Sequence, residues 1–445
     1  MYLHGTSRIN EQGHLEIGGV DTTELVKQFG TPLYVYDEAM MRETIRAYKQ
    51  AFEKSGLRYE VAYASKAFCT LAMCRIIDEE GLALDVVSSG ELYTALQAGF
   101  PAERIHFHGN NKTPDEIELA LTAGIGEFVV DNFHELKLLG ALASEKGVIA
   151  DILLRLAPGV EAHTHEYIST GQEDSKFGFD MKGDMAKRAV VAALTTPGVR
   201  LIGLHSHIGS QIFETDGFTA AVDIVAEFFG KCVRELGAND LHKLNVGGGF
   251  GIRYTEEDTP LTAEAYIAAI TAAVTTAFDR LQLTYPEIVI EPGRSIVGAA
   301  GTTLYSVGST KDIPGVRKYV SVNGGMTDNP RPALYQAVYE AMLANRANEE
   351  RDELVSVAGK ACESGDMLIW DVKLPQVKAD DILAVSCTGA YGYSMASNYN
   401  RIARPAVVFV QNGQADLVVK RESHDDLVSH DLIPARLTSG VLSNK

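Results

Sequence analysis

Eight short runs rich in Val, Ile, Leu and aromatic residues recur along the first two thirds of the chain, at 59–65, 83–87, 105–108, 127–130, 151–156, 201–207, 243–246 and 287–290. Between them lie longer stretches with apolar residues at helical spacing, at 67–80, 90–99, 113–124, 132–146, 215–236 and 262–281. Many of these open on Ser, Thr, Asp or Asn and close at Gly, as helices do. Strand–helix alternation calls for a parallel sheet. A doubly wound open sheet shares this local pattern, but eight units over about 230 residues point to a closed (β/α)8 TIM-type barrel. The texture changes after residue 297. Runs at 318–322, 354–358, 367–372, 382–387, 407–410 and 417–420 read as strands, and only 332–347 reads as a helix. Asn412-Gly413 between two apolar runs is a hairpin signal. The stretch 14–17 is also strand-like. The expected organisation is an α/β chain with a barrel over 31–296 and a β-rich domain made of 1–30 together with 297–445.

Composition narrows the partners. Forty Lys and Arg against 59 Asp and Glu give a net charge of −19, which disfavours nucleic acid and anionic membranes as bulk partners. The five cysteines are scattered, with no Cys-x-x-Cys pair, so neither a disulfide scaffold nor a zinc site is expected. Residues 1–18 lack an apolar core, and no run approaches 18 apolar residues. A cytoplasmic location is the expectation.

Unusual side chains gather just past the strands, where a barrel keeps its active site. Lys66 ends the first run, and Ser88-Ser89-Gly90 follows the second. His205-Ser206-His207-Ile208-Gly209-Ser210-Gln211 closes the sixth, Gly247-Gly248-Gly249-Phe250-Gly251 the seventh, and Glu291-Pro292-Gly293-Arg294 the eighth. The glycine run lets backbone N–H groups approach a phosphate. It lacks the spacing of a dinucleotide fingerprint, although a plain tight turn is also open to it. Lys66, at the end of an apolar strand, is either a surface residue or an amine fit for Schiff-base chemistry. Lysine plus phosphate cradle in one mouth makes pyridoxal 5'-phosphate the leading cofactor. Glu291 would then face the pyridine nitrogen, or else pair with Arg294 or Arg155. His205 and His207 share a strand face. A metal would want a third ligand that the sequence does not place, so an imidazole packed on a cofactor ring is the better reading for His207, and a core histidine is open for His205. His163 and His165 read as lid or solvent residues.

Tyr63-Ala64-Ser65-Lys66-Ala67, His205 to Gln211, Gly247 to Gly251 and Glu291 to Arg294 resemble the fold-type III pyridoxal-phosphate enzymes, which include alanine racemase and the basic amino acid decarboxylases. His163-Thr164-His165-Glu166-Tyr167-Ile168-Ser169-Thr170-Gly171 with Ser175-Lys176-Phe177-Gly178, Asn329-Pro330-Arg331-Pro332-Ala333-Leu334-Tyr335, and Cys362-Glu363-Ser364-Gly365-Asp366 narrow this to a resemblance to the diaminopimelate decarboxylase family. It spans about residues 30–406. The segment Gly324-Gly325-Met326-Thr327-Asp328-Asn329-Pro330 departs from the form more frequent there, while Arg331 is retained.

The resemblance implies decarboxylation of meso-2,6-diaminopimelate to L-lysine and CO2, the last step of lysine biosynthesis. It implies Lys66 as the amine that binds the cofactor aldehyde, His207 stacked on the ring and Glu291 at the pyridine nitrogen. It implies Ser210, Gly248, Gly249 and Arg294 at the phosphate and Pro292 and Gly293 as further cofactor-binding residues, with Arg294 also reaching substrate and Tyr391 near both. Arg331 and Tyr335 take the distal carboxylate, Glu363 the distal ammonium, and Cys362 serves as proton donor. Cys362 and Glu363 would cross the interface of a homodimer with shared sites. A bidentate Arg331 beside Glu363 suits a far end that is itself an amino acid. A decarboxylase of another basic amino acid, a racemase and a noncatalytic cofactor carrier are the alternatives.

Overall fold

The computed structural model describes residues 1–160 and 176–437. Residues 161–175, which hold His163, His165 and Ser175, lie outside the described part. The eight runs form strands Tyr59–Ala64, Ala83–Val86, Ile105–Phe107, Glu127–Val130, Ala150–Ala157, Val199–Ser206, Lys243–Asn245 and Glu287–Ile290. Each is parallel to its neighbour, and the last pairs with the first through Ile290 opposite Val61, which closes the barrel. Helix starts follow the expected chemistry. Ser88, Thr113, Asn132 and Thr262 each accept an N–H from the third residue of their helix, and Thr113 and Glu116 complete a reciprocal capping box behind Pro114. Two further helices, Glu38–Ser55 and Met185–Thr195, pack on the barrel without having been expected.

The β-rich part is built on a 13-residue strand, Gly301–Ile313. It pairs antiparallel with Leu33–Asp37, Arg317–Val322 and Ile382–Val385. Leu33–Asp37 in turn lies parallel to Ala406–Gln411. Residues 33–37 therefore belong to this sheet, and the barrel boundary expected at residue 31 falls too early. The reason is packing on two faces: Tyr34 and Tyr36 enter the barrel core with Val407 and Phe409, whereas Leu33 and Val35 enter a second core with Leu15, Ile17 and Val408. A strand buried on both sides reads as a continuous apolar run without alternation. The helix expected at 332–347 is also corrected. Only Arg331–Tyr335 is helical, Gln336 stops it at φ 52°, and Ala341–Leu343 is a strand paired with Ile382–Val385. The hairpin is as expected, with Asn412 and Gly413 both at positive φ (51° and 78°) between Ala406–Gln411 and Gln414–Val419.

The end of the barrel away from the unusual loops is filled by charge. His106 lies 3.3 Å from both Glu60 and Glu127, and the Lys243 ammonium is 3.0 Å and 2.8 Å from the same two carboxylates. Burial alone would lower the His106 imidazole, but Glu127 and Glu60 hold it up to about 9. Its folded value lies above its ordinary one, so its contribution is complete below about pH 6.5 and is lost as pH rises through about 9, an effect on the order of 3 kcal/mol. We expect the melting-temperature gap between wild type and His106→Gln to be widest near pH 6 and to close by pH 9.5. A gap that stays constant across that range would contradict the assignment.

Candidate active site

Strand Tyr59–Ala64 is buried from Val61 onward and ends in a single 3-10 turn, Ser65–Ala67. Ser65 and Ala67 are buried, while Lys66 is exposed into a cavity of about 750 Å³. The turn is fixed from both sides. The Tyr63 hydroxyl donates to the Phe68 carbonyl at 2.9 Å, and the Tyr391 N–H and Ser394 hydroxyl both donate to the Ala67 carbonyl, at 2.9 and 3.1 Å. The β-rich part thereby grips the base of Lys66 directly. Asp85, His207, Glu291, Arg294 and Arg331 line the same cavity.

Glu291 is buried at the floor. Its carboxylate meets Asn245 Nδ2 at 2.7 Å, His108 Nε2 at 3.1 Å and His205 Nε2 at 3.3 Å. Burial alone would raise its carboxyl, but the two imidazoles outweigh this and hold it well below the usual range. Among the described residues neither Arg294 nor Arg155 makes a direct ion pair with it, although Arg155 feels its charge. His205 is thus a floor residue rather than an idle core histidine, and it meets His108 edge to face at 5.1 Å. Asp85, just above, has its carboxyl raised to about 6 by burial, against the pull of His108 and Lys66.

The glycine run forms one wall. A Cβ at Gly248 would come within 2.1 Å of the Glu291 carbonyl, and one at Gly249, at φ 100°, within 2.3 Å of the Gly209 carbonyl. Side chains are excluded there by backbone, which cannot move aside. The Gly248 N–H donates to His207 Nδ1 at 3.2 Å. Burial, helped by the charges of Lys66 and Arg155, pushes the His207 imidazole well below its ordinary pKa, so it is a neutral ring. Arg294 donates to Ser210 Oγ at 2.8 Å, while its buried Nε has no partner among the described residues. Gly293 also lines the cavity, and Pro292 accepts the Ala64 N–H at 3.2 Å across the seam between first and last strands.

Arg331, Tyr335 and Tyr391 complete the cavity on the β-rich side. Cys362 and Glu363 do not line it. Both are exposed, and the Cys362 N–H is held by Asn400 Oδ1 at 2.7 Å. The sequence reading passed over Asp85, His108, Asn245, Tyr254 and Tyr339. A signal existed for Asp85 and Asn245, each a lone polar residue near the end of an apolar barrel strand.

An amine, an ionised carboxylate facing it across a cavity, a neutral imidazole and an anion cradle with an unpartnered arginine nitrogen fit pyridoxal phosphate. The fold and these groups define a barrel-type pyridoxal-phosphate enzyme. The comparisons agree. Residues 38–298 match the family "Pyridoxal-dependent decarboxylase, pyridoxal binding domain". The diaminopimelate decarboxylase of Bacillus subtilis (strain 168) is 60% identical over 97% of this chain and 98% of its own, and that of Staphylococcus aureus (strain COL) is 50% identical over 96% and 99%. The crystal structure of the M. jannaschii diaminopimelate decarboxylase with L-lysine superposes with a TM-score of 0.90 at 36% identity, covering 97% of this chain and 99% of that one. The chain belongs to the diaminopimelate decarboxylase family.

The wall makes a direct prediction. Gly248→Ala must spread the seventh and eighth strand ends, and we expect cofactor affinity to fall at least ~10-fold, equivalent to about 1.4 kcal/mol. Unchanged affinity in a fluorescence titration would mean that this loop does not touch the cofactor.

Proposed function

We propose that the chain decarboxylates meso-2,6-diaminopimelate to L-lysine and CO2 with pyridoxal 5'-phosphate, closing lysine biosynthesis. The observation that carries this reading is the convergence of Lys66, Glu291, Arg294 and Arg331 on one cavity, in a chain whose relatives across its whole length are diaminopimelate decarboxylases.

When bound, the cofactor supplies an electron-withdrawing ring that accepts the pair left on Cα as CO2 departs. Lys66 would hold its aldehyde end, and Glu291, kept ionised, would favour a protonated pyridine nitrogen. Arg294, which would also reach the substrate, would hold the phosphate with Ser210 and the Gly248 and Gly249 backbone, and neutral His207 would pack against the ring. Holding the far end of the substrate orients the bond to be broken. Buried Arg331 with Tyr335 receives the distal carboxylate, Glu363 the distal ammonium, and Tyr391 lies between cofactor and substrate. Once CO2 has left, the Cys362 thiol would give its proton to Cα and remain as the thiolate.

We place Cys362 and Glu363 in the site of a second subunit, so that each cavity is completed by the partner in a homodimer. Their exposure side by side, outside their own chain's cavity, supports this. A cytoplasmic location belongs to the same reading: all five cysteines are free thiols, and among the described residues no helix is long and apolar enough to cross a membrane.

Lys66→Ala should abolish turnover and the visible absorption of the loaded protein; a surviving band would show that another amine holds the cofactor. Offered meso-diaminopimelate, ornithine, arginine and alanine, the protein should release CO2 only from the first. Turnover of ornithine alone would replace the substrate assignment. Mixed Lys66→Ala and Cys362→Ala subunits, once exchanged, should regain about a quarter of wild-type activity, whereas self-contained sites would regain none.

A further inference from the structure

Among the described residues, the two arginines of the cavity are held by hydroxyls and not by carboxylates. Arg294 donates through Nη1 to the Tyr254 hydroxyl and through Nη2 to Ser210. Arg331 donates through one Nη1 to Tyr254 at 3.0 Å and to Tyr339 at 2.6 Å. The Arg331 guanidinium lies 5.2 Å from the Tyr254 ring centre, and the Arg294 guanidinium 5.7 Å. Tyr254 and Tyr339 meet edge to face at 5.6 Å. Tyr254 is itself pinned, because its N–H and that of Thr255 both donate to the Asp258 carboxylate at 2.9 Å.

This arrangement has two physical consequences. A phenol fixes a guanidinium without neutralising it, so both charges remain available to anions. A phenol oxygen also has two lone pairs and one proton. Both lone pairs of Tyr254 are taken by arginines, so the groups that receive the two ends of the ligand share one acceptor atom.

We propose that Tyr254 is a positioning residue that fixes the separation between the anion held at Arg294 and the anion held at Arg331, and so sets the length of substrate that the cavity accepts. This rests on the function proposed above, in which Arg331 takes the distal carboxylate and Arg294 meets the cofactor phosphate and also reaches the substrate. Removing the Tyr254 hydroxyl leaves Ser210 on Arg294 and Tyr339 on Arg331. Each cation stays anchored, but their spacing is no longer shared.

The test is calorimetric binding to cofactor-loaded protein of L-lysine, of L-ornithine (one methylene shorter) and of cadaverine, which has the length of lysine without the carboxylate. Wild type is expected to prefer lysine to ornithine. In Tyr254→Phe, lysine should bind roughly 10-fold more weakly and the lysine preference should shrink at least about fivefold, each factor of ten being about 1.4 kcal/mol. Cadaverine should be unchanged within about twofold. Tyr339→Phe, which touches Arg331 alone, should weaken lysine and ornithine alike and keep the preference. A preference retained in Tyr254→Phe, or lost equally in Tyr339→Phe, overturns the inference. A wild type that fails to bind L-lysine overturns the functional reading beneath it.

Discussion

One carboxylate kept ionised inside a closed cylinder ties the site to the fold. Burying an unpaired carboxylate costs several kcal/mol, and hydrogen-bond donors must offset that. Glu291 finds them on three other strands: His108 past the third, His205 on the sixth and Asn245 on the seventh, with Glu291 itself just past the eighth. These donors converge only if the barrel is closed in the observed register, with Ile290 beside Val61. The same seam brings Pro292 to Ala64, one residue before the Lys66 turn. Barrel closure and the placing of an amine opposite a carboxylate are therefore one constraint.

The two ends of the barrel handle charge in opposite ways. At the far end Lys243 and His106 are spent on Glu60 and Glu127, a self-neutralising plug that contributes stability. At the mouth Arg294 and Arg331 are fastened by Tyr254, Tyr339 and Ser210, which leave their charge unspent. A chain with a net charge of −19 can thus keep two unneutralised guanidinium groups at its mouth for a cofactor phosphate and a substrate carboxylate.

How much of this was legible in the sequence follows from the range of the interactions. Strand–helix alternation is local, and it disclosed all eight barrel strands within a residue or two. Motif residues at strand ends, Lys66, His207, Glu291 and Arg294 among them, lie together on the cavity. The β-rich part was harder. Gly301–Ile313 is rich in Gly, Ser and Thr and becomes a strand only because three partners flank it. Leu33–Asp37 hides because both of its faces are buried. The segment 332–347 has helical spacing, yet pairing of Ala341–Leu343 with Ile382–Val385 overrides it. His108 and Tyr254 act through partners 40 to 183 residues away, and Tyr339 through Arg331 across a bend of the chain, so no spacing rule could reveal them.

The chemistry turns on which amine receives the cofactor. Borohydride reduction of the loaded protein, followed by proteolysis and mass mapping, reports this directly. A pyridoxyl group confined to the peptide containing Lys66 is the predicted result. The same mass on Lys112, Lys176 or any other lysine, or on none, would contradict it.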